Sequence, residues 1–512
     1  MDGFPSRRLA WALGATLVAL VVLCSLAPLA GVCLPSRHPL PRPNGPNLLI
    51  LIGDDHAGDT LGIAGDPHAA TPRLDALARQ GVFFRRAYCN SPLCTPSRQS
   101  IATGRLPHAV GVTRLNTPLP DSAVTYGDWL SHLGYLTAAY GKMHFNSLKK
   151  HGFSERLDTP EWETWFKQIR PQVIDRRRPW RPIQDPASEW LNADRRPHGL
   201  PDAVMESTFY VEKAGQFFRK HKSDPFALVI GFSEPHSPFR FPDDWPRRFS
   251  PVEFEVPPHN NTVRAEIPKI FQDITPAQTK GIQAAYYTSI SYLDAQVGRV
   301  LDELDASGLA ENTIVVYLGD NGYLRGHHGR FEKHCLYEQA VHIPLIIRWP
   351  KNLPAGKVVD DLVEGVDILP TVLELMGVAA PTNLQGKSLA DLAHGRPGAK
   401  GREFVFSEYL ENEEAMVRDS RYKLIVGTGH RRRQDGYIND NPAPGPYERL
   451  YDLETDPNED TNLAGRPELT AVQNRLLDAL FERITTTRNP DDQAPRGLST
   501  IETIRKLLVP KD

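Results

Sequence analysis

The chain has 512 residues, with 59 Lys and Arg against 62 Asp and Glu and 40% hydrophobic residues. That length can bury a large core in roughly two to four domains, and the near-balanced charge argues against a general nucleic-acid binder. The 38 Gly and 45 Pro stay below the level of a disordered chain and describe a loop-rich globular one.

Arg7 and Arg8 precede an apolar stretch from Leu9 to Cys33 and a Pro-rich spacer from Pro35 to Pro46. A basic flank before an apolar run reads as an export signal, or as a membrane anchor if it is not cleaved. Ser25-Leu26-Ala27 resembles a cleavage site, although Pro28 follows it directly. Residues 1–46 are therefore set apart, and the protein is expected to be periplasmic, secreted or membrane-anchored.

The body alternates apolar strands with capped helices, the pattern of an α/β domain over residues 47–395. Asn47 to Ile52 reads as a buried strand, and Thr71-Pro72 opens a helix whose Leu74, Leu77 and Ala78 share a face. A strand from Tyr135 to Tyr140 follows a helix closed by Gly134. Asp202 to Lys222 is expected to be helical, Phe226 to Phe232 a strand, and Thr275-Pro276 the start of a long helix reaching about Ala306. Strands at Thr313–Leu318 and Ile343–Arg348 and a helix at Asp367–Met376 complete the domain. From residue 396 to 512 short strands at Phe404–Tyr409, Met416–Asp419 and Tyr422–Val426 precede a helix at Pro467–Thr486, a smaller α+β domain. The stretch from Asn146 to Pro201 is irregular and reads as an insertion or lid.

Four polar clusters share one topological address. Asp54-Asp55, Lys142-Met143-His144, His236 and Asp320-Asn321 each follow a strand. In a mainly parallel sheet they converge at the carboxyl edge, where open α/β sheets bind ligands. Asp54, Asp55, Asp320 and Asn321 offer only oxygen, which selects a hard cation, Ca²⁺ or Mg²⁺, over zinc. Lys142, Lys333, His144 and His236 add donors suited to a tetrahedral oxyanion, so the set describes sulfuryl or phosphoryl transfer.

Two of the five cysteines lie in the leader, leaving Cys89, Cys94 and Cys335, an odd set for an oxidising compartment. Cys94 stands just before a probable helix N-terminus, a place where a thiol can become a low-pKa nucleophile. Sulfur is nevertheless a poor companion for an oxygen-only metal site.

Cys94-Thr95-Pro96-Ser97-Arg98 with Thr103-Gly104 resembles the signature of type I sulfatases of the alkaline-phosphatase superfamily. The resemblance extends through Gly53-Asp54-Asp55, Gly141-Lys142-Met143-His144, Pro235-His236, Gly319-Asp320-Asn321-Gly322 and Leu450-Tyr451-Asp452-Leu453. It implies a large, mainly parallel sheet sandwiched by helices, with a smaller C-terminal α+β domain. It also implies that a formylglycine-generating enzyme oxidises Cys94 to Cα-formylglycine, a hydrated aldehyde that attacks sulfur. Asp54, Asp55, Asp320, Asn321 and the modified position 94 would hold Ca²⁺, and Arg98 would orient the hydrate. Lys142, His144, His236 and Lys333 would surround the sulfate. His236 would protonate the leaving alcohol, and His144 would take the proton whose removal expels sulfate and restores the aldehyde.

The insertion from Asn146 to Leu200 carries eleven Lys and Arg against eight Asp and Glu, with Trp162, Trp165, Trp180 and Trp190. Tryptophan faces suit sugar rings and arginine forks suit carboxylates or sulfates, which favours a sulfated carbohydrate substrate. Tryptophans that simply pack the segment down are the alternative. Gly141-Lys142-Met143-His144-Phe145 also resembles choline-sulfatases, so a small sulfate ester stays open, as does a phosphodiesterase or phosphonate monoester hydrolase of the superfamily. Arg431-Arg432-Arg433 reads as a solvated loop or a cationic rim.

Overall fold

A computed structural model describes residues 45–169, 200–242, 244–246, 249–258, 267–430, 445–489, 492 and 494–512. Residues 1–44 of the expected leader, Trp180, Trp190 and Arg431–Arg433 lie outside these residues. Among the described residues no helix is long and apolar enough to cross a membrane.

The first strand, β1 (Asn47–Asp54), is buried along its whole length, as a continuous apolar run in a sheet covered on both faces must be. Helix α1 (Pro72–Arg79) follows and buries Leu74, Leu77 and Ala78. The Thr71 hydroxyl does not cap it; Asp294 instead accepts the amides of Arg73 and Leu74. Strand β2 (Val82–Tyr88) leads to helix α2 (Cys94–Thr103), which ends where Gly104 takes the left-handed conformation. Helix α3 (Tyr126–His132) opens on a Thr125–Asp128 capping box and precedes β3 (Leu136–Gly141).

The insertion starts with β4 (Glu155–Leu157) and helix α4 (Thr159–Ile169). Its Trp162 and Trp165 pack inward: the Trp162 indole donates to the Val204 carbonyl at 3.1 Å, and Trp165 lies 5.0 Å from the Phe209 ring. For these two, the expected sugar-facing role is corrected in favour of packing. Helix α5 (Glu206–Lys220) starts four residues later than expected, because Asp202–Val204 forms a 3₁₀ turn and Asp202 accepts from Thr208, Tyr292 and Arg299.

Strand β5 (Phe226–Pro235) and the 31-residue helix α6 (Pro276–Ala306) follow, the latter capped by a Thr275–Gln278 box. Helix α6 packs on α5, β5 and α1. Next come β6 (Thr313–Gly319) and the short helix α7 (Glu338–Val341). The single strand expected over Ile343–Arg348 is broken at Pro344, which has no N–H to donate, into β7 (His342–Ile343) and β8 (Leu345–Arg348). Strand β9 (Lys357–Glu364) and helix α8 (Ile368–Leu375) complete this part, with α8 against α2.

These nine strands form one sheet in the order β4-β3-β5-β1-β6-β8-β2-β7, with β9 beside β2. Strands β4, β3, β5, β1 and β6 run parallel, with Ile50 of β1 opposite Val229 on one side and Val316 on the other. Strand β8 runs antiparallel to β6, and β2 antiparallel to β8. The sheet is thus mixed but parallel at its centre, as the resemblance implied.

A second, antiparallel sheet joins β10 (Val405–Tyr409), β11 (Glu414–Arg418), β12 (Tyr422–Gly427) and β13 (Tyr447–Asp452). Helices α9 (Thr470–Thr486) and α10 (Thr500–Leu507) cover it, burying Leu476, Leu480, Ile484 and Ile504 against Val417, Leu424 and Leu450.

Candidate active site

The parallel strands deliver their polar residues to one edge. Asp54 ends β1, Lys142 follows β3, His236 follows β5 and Asp320 follows β6, so all four expected clusters meet. Cys94, the first residue of α2, lies among them and is 1% exposed. Lys333 Nζ stands 3.0 Å from its Sγ, and Lys142 Nζ stands 3.8 Å from it. Gly141 and Gly231 permit this crossing of chains. The Lys142 amide donates to the Gly231 carbonyl at 2.8 Å, and a Cβ on Gly231 would fall 2.2 Å from the Lys142 carbonyl oxygen.

The carboxylates form a compact core. Ligand atoms of Asp54, Asp55 and Asp320 lie within 4.8 Å of one another, and all three residues are buried. Asp55 Oδ1 accepts from Lys333 Nζ at 2.6 Å and from Asn321 Nδ2 at 2.7 Å. Asp320 accepts the backbone amides of Asp55 and Asn321 on one oxygen and Arg98 Nε at 2.7 Å on the other. Arg98 also donates to the Lys142 carbonyl, and Lys142 is ion-paired to Asp54. Every predicted metal and sulfate residue except His144 touches another member of this network directly; His144 joins it through Thr95 Oγ1, 3.1 Å from its Nδ1.

Burial raises the pKa of Asp320 to about 7, with Asp54 and Asp55 adding to the shift and Arg98 opposing it. For Asp54 burial works in the same sense, but Lys142, His236 and Arg98 prevail and hold it well below the usual carboxylate range. Burial, with Asp54 beside it, pushes the Cys94 thiol up despite Lys142 and Lys333. Burial and Asp54 thus oppose the low-pKa thiolate that a helix N-terminus alone would suggest.

The donor set fits a hard divalent cation. Asp54 Oδ1 and Asn321 Oδ1 are buried oxygens without a hydrogen-bond donor, and they sit beside the crowded carboxylates. Unsatisfied buried oxygens are costly, and a cation bound by oxygen would satisfy them.

The histidines are held by what surrounds them. His236 Nδ1 donates to the Ser237 carbonyl at 2.6 Å, which directs Nε2 toward Asp55 Oδ2 at 3.8 Å. Burial and the Lys333 charge lower its pKa to about 4. His144 is held well below the ordinary imidazole value by burial and by Lys142. Asp55 and His144 both adopt positive φ, 63° and 55°, a strained conformation that collects at functional sites.

Over this floor opens a cleft of about 1110 Å³, walled in part by Asn116, Leu148, Asp158, Glu206 and Arg240. None of these was singled out in the sequence. They stand on loops or at a helix start, where neither periodicity nor a motif marks them. Thr95 and Ser97 were legible only as members of a signature and Gln99 was not singled out, yet Ser97 donates to the Asp320 carbonyl at 2.5 Å and Gln99 to the His144 carbonyl at 2.7 Å.

An acidic, oxygen-rich pocket beneath two lysines, at the carboxyl edge of an α/β sheet, defines a site for transferring a tetrahedral oxyanion. The sequence pattern of the Sulfatase family matches residues 46–378, and that of the N-sulphoglucosamine sulphohydrolase C-terminal region matches residues 326–486. A sulfatase of Formosa agariphila is 30% identical over 82% of this chain and 83% of its own length. An N-acetylglucosamine-6-O-sulfatase of Bacteroides thetaiotaomicron is 26% identical over 93% of this chain and 92% of its own. The phosphonate monoester hydrolase structure of Agrobacterium radiobacter superposes with a TM-score of 0.73 at 22% identity, over 86% of this chain and 96% of that one, a likeness of fold alone. The chain belongs to the Sulfatase family and is a sulfuric ester hydrolase.

Proposed function

We propose that the chain removes sulfate from a sulfated carbohydrate, with Cα-formylglycine at position 94 and one Ca²⁺ held by Asp54, Asp55, Asp320, Asn321 and that modified residue. The observation that carries this reading is the placement of Cys94 between Lys142 and Lys333 and against the buried carboxylates. A buried thiol held protonated is a poor nucleophile there, whereas an oxygen group at the same position suits both the cation and the chemistry. Bound in this pocket, the cation supplies positive charge opposite the developing oxyanion. Lys142 and Lys333 bring further charge to the sulfate oxygens. Arg98, fixed by Asp320 and the Lys142 carbonyl, holds the turn at position 94. His236 supplies the proton to the leaving alcohol, and His144 accepts one. Maturation would require a formylglycine-generating enzyme, and residues 1–46 would export the chain or anchor it to a membrane.

The carbohydrate reading rests on the cleft. Its volume exceeds what a sulfate group and a small alcohol fill, and Asp158, Glu206 and Arg240 offer polar partners for hydroxyls or a second anion. The relative from Bacteroides thetaiotaomicron is described as acting on a sugar sulfate. Desulfation of defined sulfated saccharides, run beside choline sulfate and matched aryl sulfate and phosphonate monoesters, tests the proposal. A saccharide should give the highest kcat/KM. A preference for choline sulfate would overturn the substrate class, and a preference for the phosphonate ester would overturn sulfate transfer itself.

A further inference from the structure

The loop over residues 112–117 belongs to no motif, yet Leu115 and Asn116 from it line the cleft. The Leu115 carbonyl accepts from Thr95 Oγ1 at 2.7 Å and from Asn146 Nδ2 at 2.8 Å. Thr95 adjoins Cys94 and Asn146 lies two residues beyond His144, so one carbonyl ties the start of α2 to the His144 segment. A hydroxyl has a single proton to give, and the Leu115 carbonyl can only accept. Toward His144 Nδ1, 3.1 Å away, the Thr95 hydroxyl must then be the acceptor, so Nδ1 carries the ring proton. His144 Nε2 is left with the lone pair, the state a base requires. The tautomer of His144 thus depends on where the Leu115 carbonyl stands.

What holds that loop comes from the far end of the sequence. Asp512 Oδ2 accepts from the Thr113 amide at 2.8 Å and from Thr117 Oγ1 at 2.5 Å, and its Oδ1 accepts from Thr113 Oγ1. Glu411, between β10 and β11, accepts the Leu115 amide at 2.9 Å. The segment carrying Asp512 is itself anchored, because Lys511 pairs with Asp492 and Leu508 and Pro510 are buried. Bonds to an ionised carboxylate are among the stronger hydrogen bonds, so this is a firm clamp.

We propose that Asp512 is a positioning residue: its carboxylate pins the 112–117 loop and, through the Leu115 carbonyl and the Thr95 hydroxyl, sets the ring orientation and tautomer of His144. The inference rests on the role given to His144 above. Steady-state kinetics of Asp512→Ala, Asp512→Asn, Thr95→Val and the Asp512→Ala/Thr95→Val pair on one sulfate ester test it, with rates expressed per matured chain and melting temperatures recorded. Asp512→Ala should lower kcat about tenfold or more with KM changed less than about twofold, as loss of orientation does. Asp512→Asn, which keeps an acceptor, should fall between it and wild type. The double variant should be no slower than the slower single one, since both substitutions break one link. Wild-type kcat in Asp512→Ala, additive losses in the pair, or a lowered melting temperature with unchanged kcat would each overturn the proposal. Imidazole ¹⁵N shifts of His144 give a readout independent of turnover. They should report the Nδ1–H tautomer in wild type and a mixture in Asp512→Ala; identical shifts in the two proteins would refute the clamp even if no sulfate ester proved to be a substrate.

Discussion

Lys333 and His236 approach the same carboxylate, Asp55, from different segments, and the proposed mechanism draws the proton for the leaving alcohol from this corner of the site. In the resting protein the His236 ring is held neutral, with its Nδ1 proton committed to Ser237. In the proposed mechanism it would act as an acid once an anionic substrate offsets the neighbouring lysine charge. An alkoxide leaves poorly without a proton and a nitrophenolate leaves readily, and general acid catalysis contributes about 10²–10⁴-fold where it is needed. His236→Ala should therefore slow alkyl or saccharide sulfates far more than an activated aryl sulfate, as kcat/KM on one substrate of each kind will show. Equal losses would assign His236 to sulfate binding and move the acid to Lys333 or His144. A second residue answers to pH. Glu234, two positions before His236, is 1% exposed, and burial raises its pKa from 4.5 to about 7. A carboxyl whose folded pKa is raised stabilises the fold fully below the unfolded value, and that contribution is lost as pH climbs through the folded one. At about 1.4 kcal/mol per unit the loss is on the order of 3 kcal/mol at most. Glu234→Gln should thus gain stability relative to wild type between about pH 4.5 and pH 7. Parallel melting curves across that window would contradict the assignment.

At the scale of elements, the strands and helices that build the site were readable because each carries a strong local signal. Strands β1, β5 and β6 are continuous apolar runs, and the 31-residue helix α6 is announced by Thr275-Pro276 at its start. The elements that escaped notice lack such signals. Strand β2 is interrupted by the exposed Arg85 and the half-buried Arg86, and β13 mixes Glu448 and Arg449 with its buried Leu450 and Tyr451. Pairing with distant partners makes these segments strands, and a single sequence does not display partners. The start of α1 shows the same limit. Thr71-Pro72 marked the position, but the acceptor for its free amides is Asp294, more than two hundred residues away. Asp294→Ala should cost about 0.5–2 kcal/mol, the usual penalty for losing a helix N-cap, read from denaturant unfolding. An unchanged unfolding midpoint would mean that another group, or water, satisfies those amides equally well. At the site, the order of motifs located the carboxylates, lysines and Cys94. The clamp through Leu115 and the walls of the cleft were invisible, because loop residues acquire their neighbours only on folding.

The two sheets are joined by buried charge. Lys423 on β12 is 0% exposed and lies 3.3 Å from Glu338 of α7 and 2.7 Å from Glu459, while Arg418 on β11 reaches Glu338 at 2.7 Å. Removing one member of such a network strands the others without compensation, typically at about 3–5 kcal/mol. Lys423→Met should therefore lower the melting temperature of the whole chain while leaving the chemistry of the remaining folded fraction intact. A melting temperature equal to wild type would show that the network contributes nothing to holding the sheets together. The central claim concerns Cys94, on which the carboxylate pocket, both lysines and the arginine converge. Peptide mass spectrometry of purified, active protein tests it most directly. The peptide spanning position 94 should have lost its sulfur and carry an aldehyde, in a fraction that rises in step with specific activity. An unmodified thiol at position 94 in fully active protein would contradict the account.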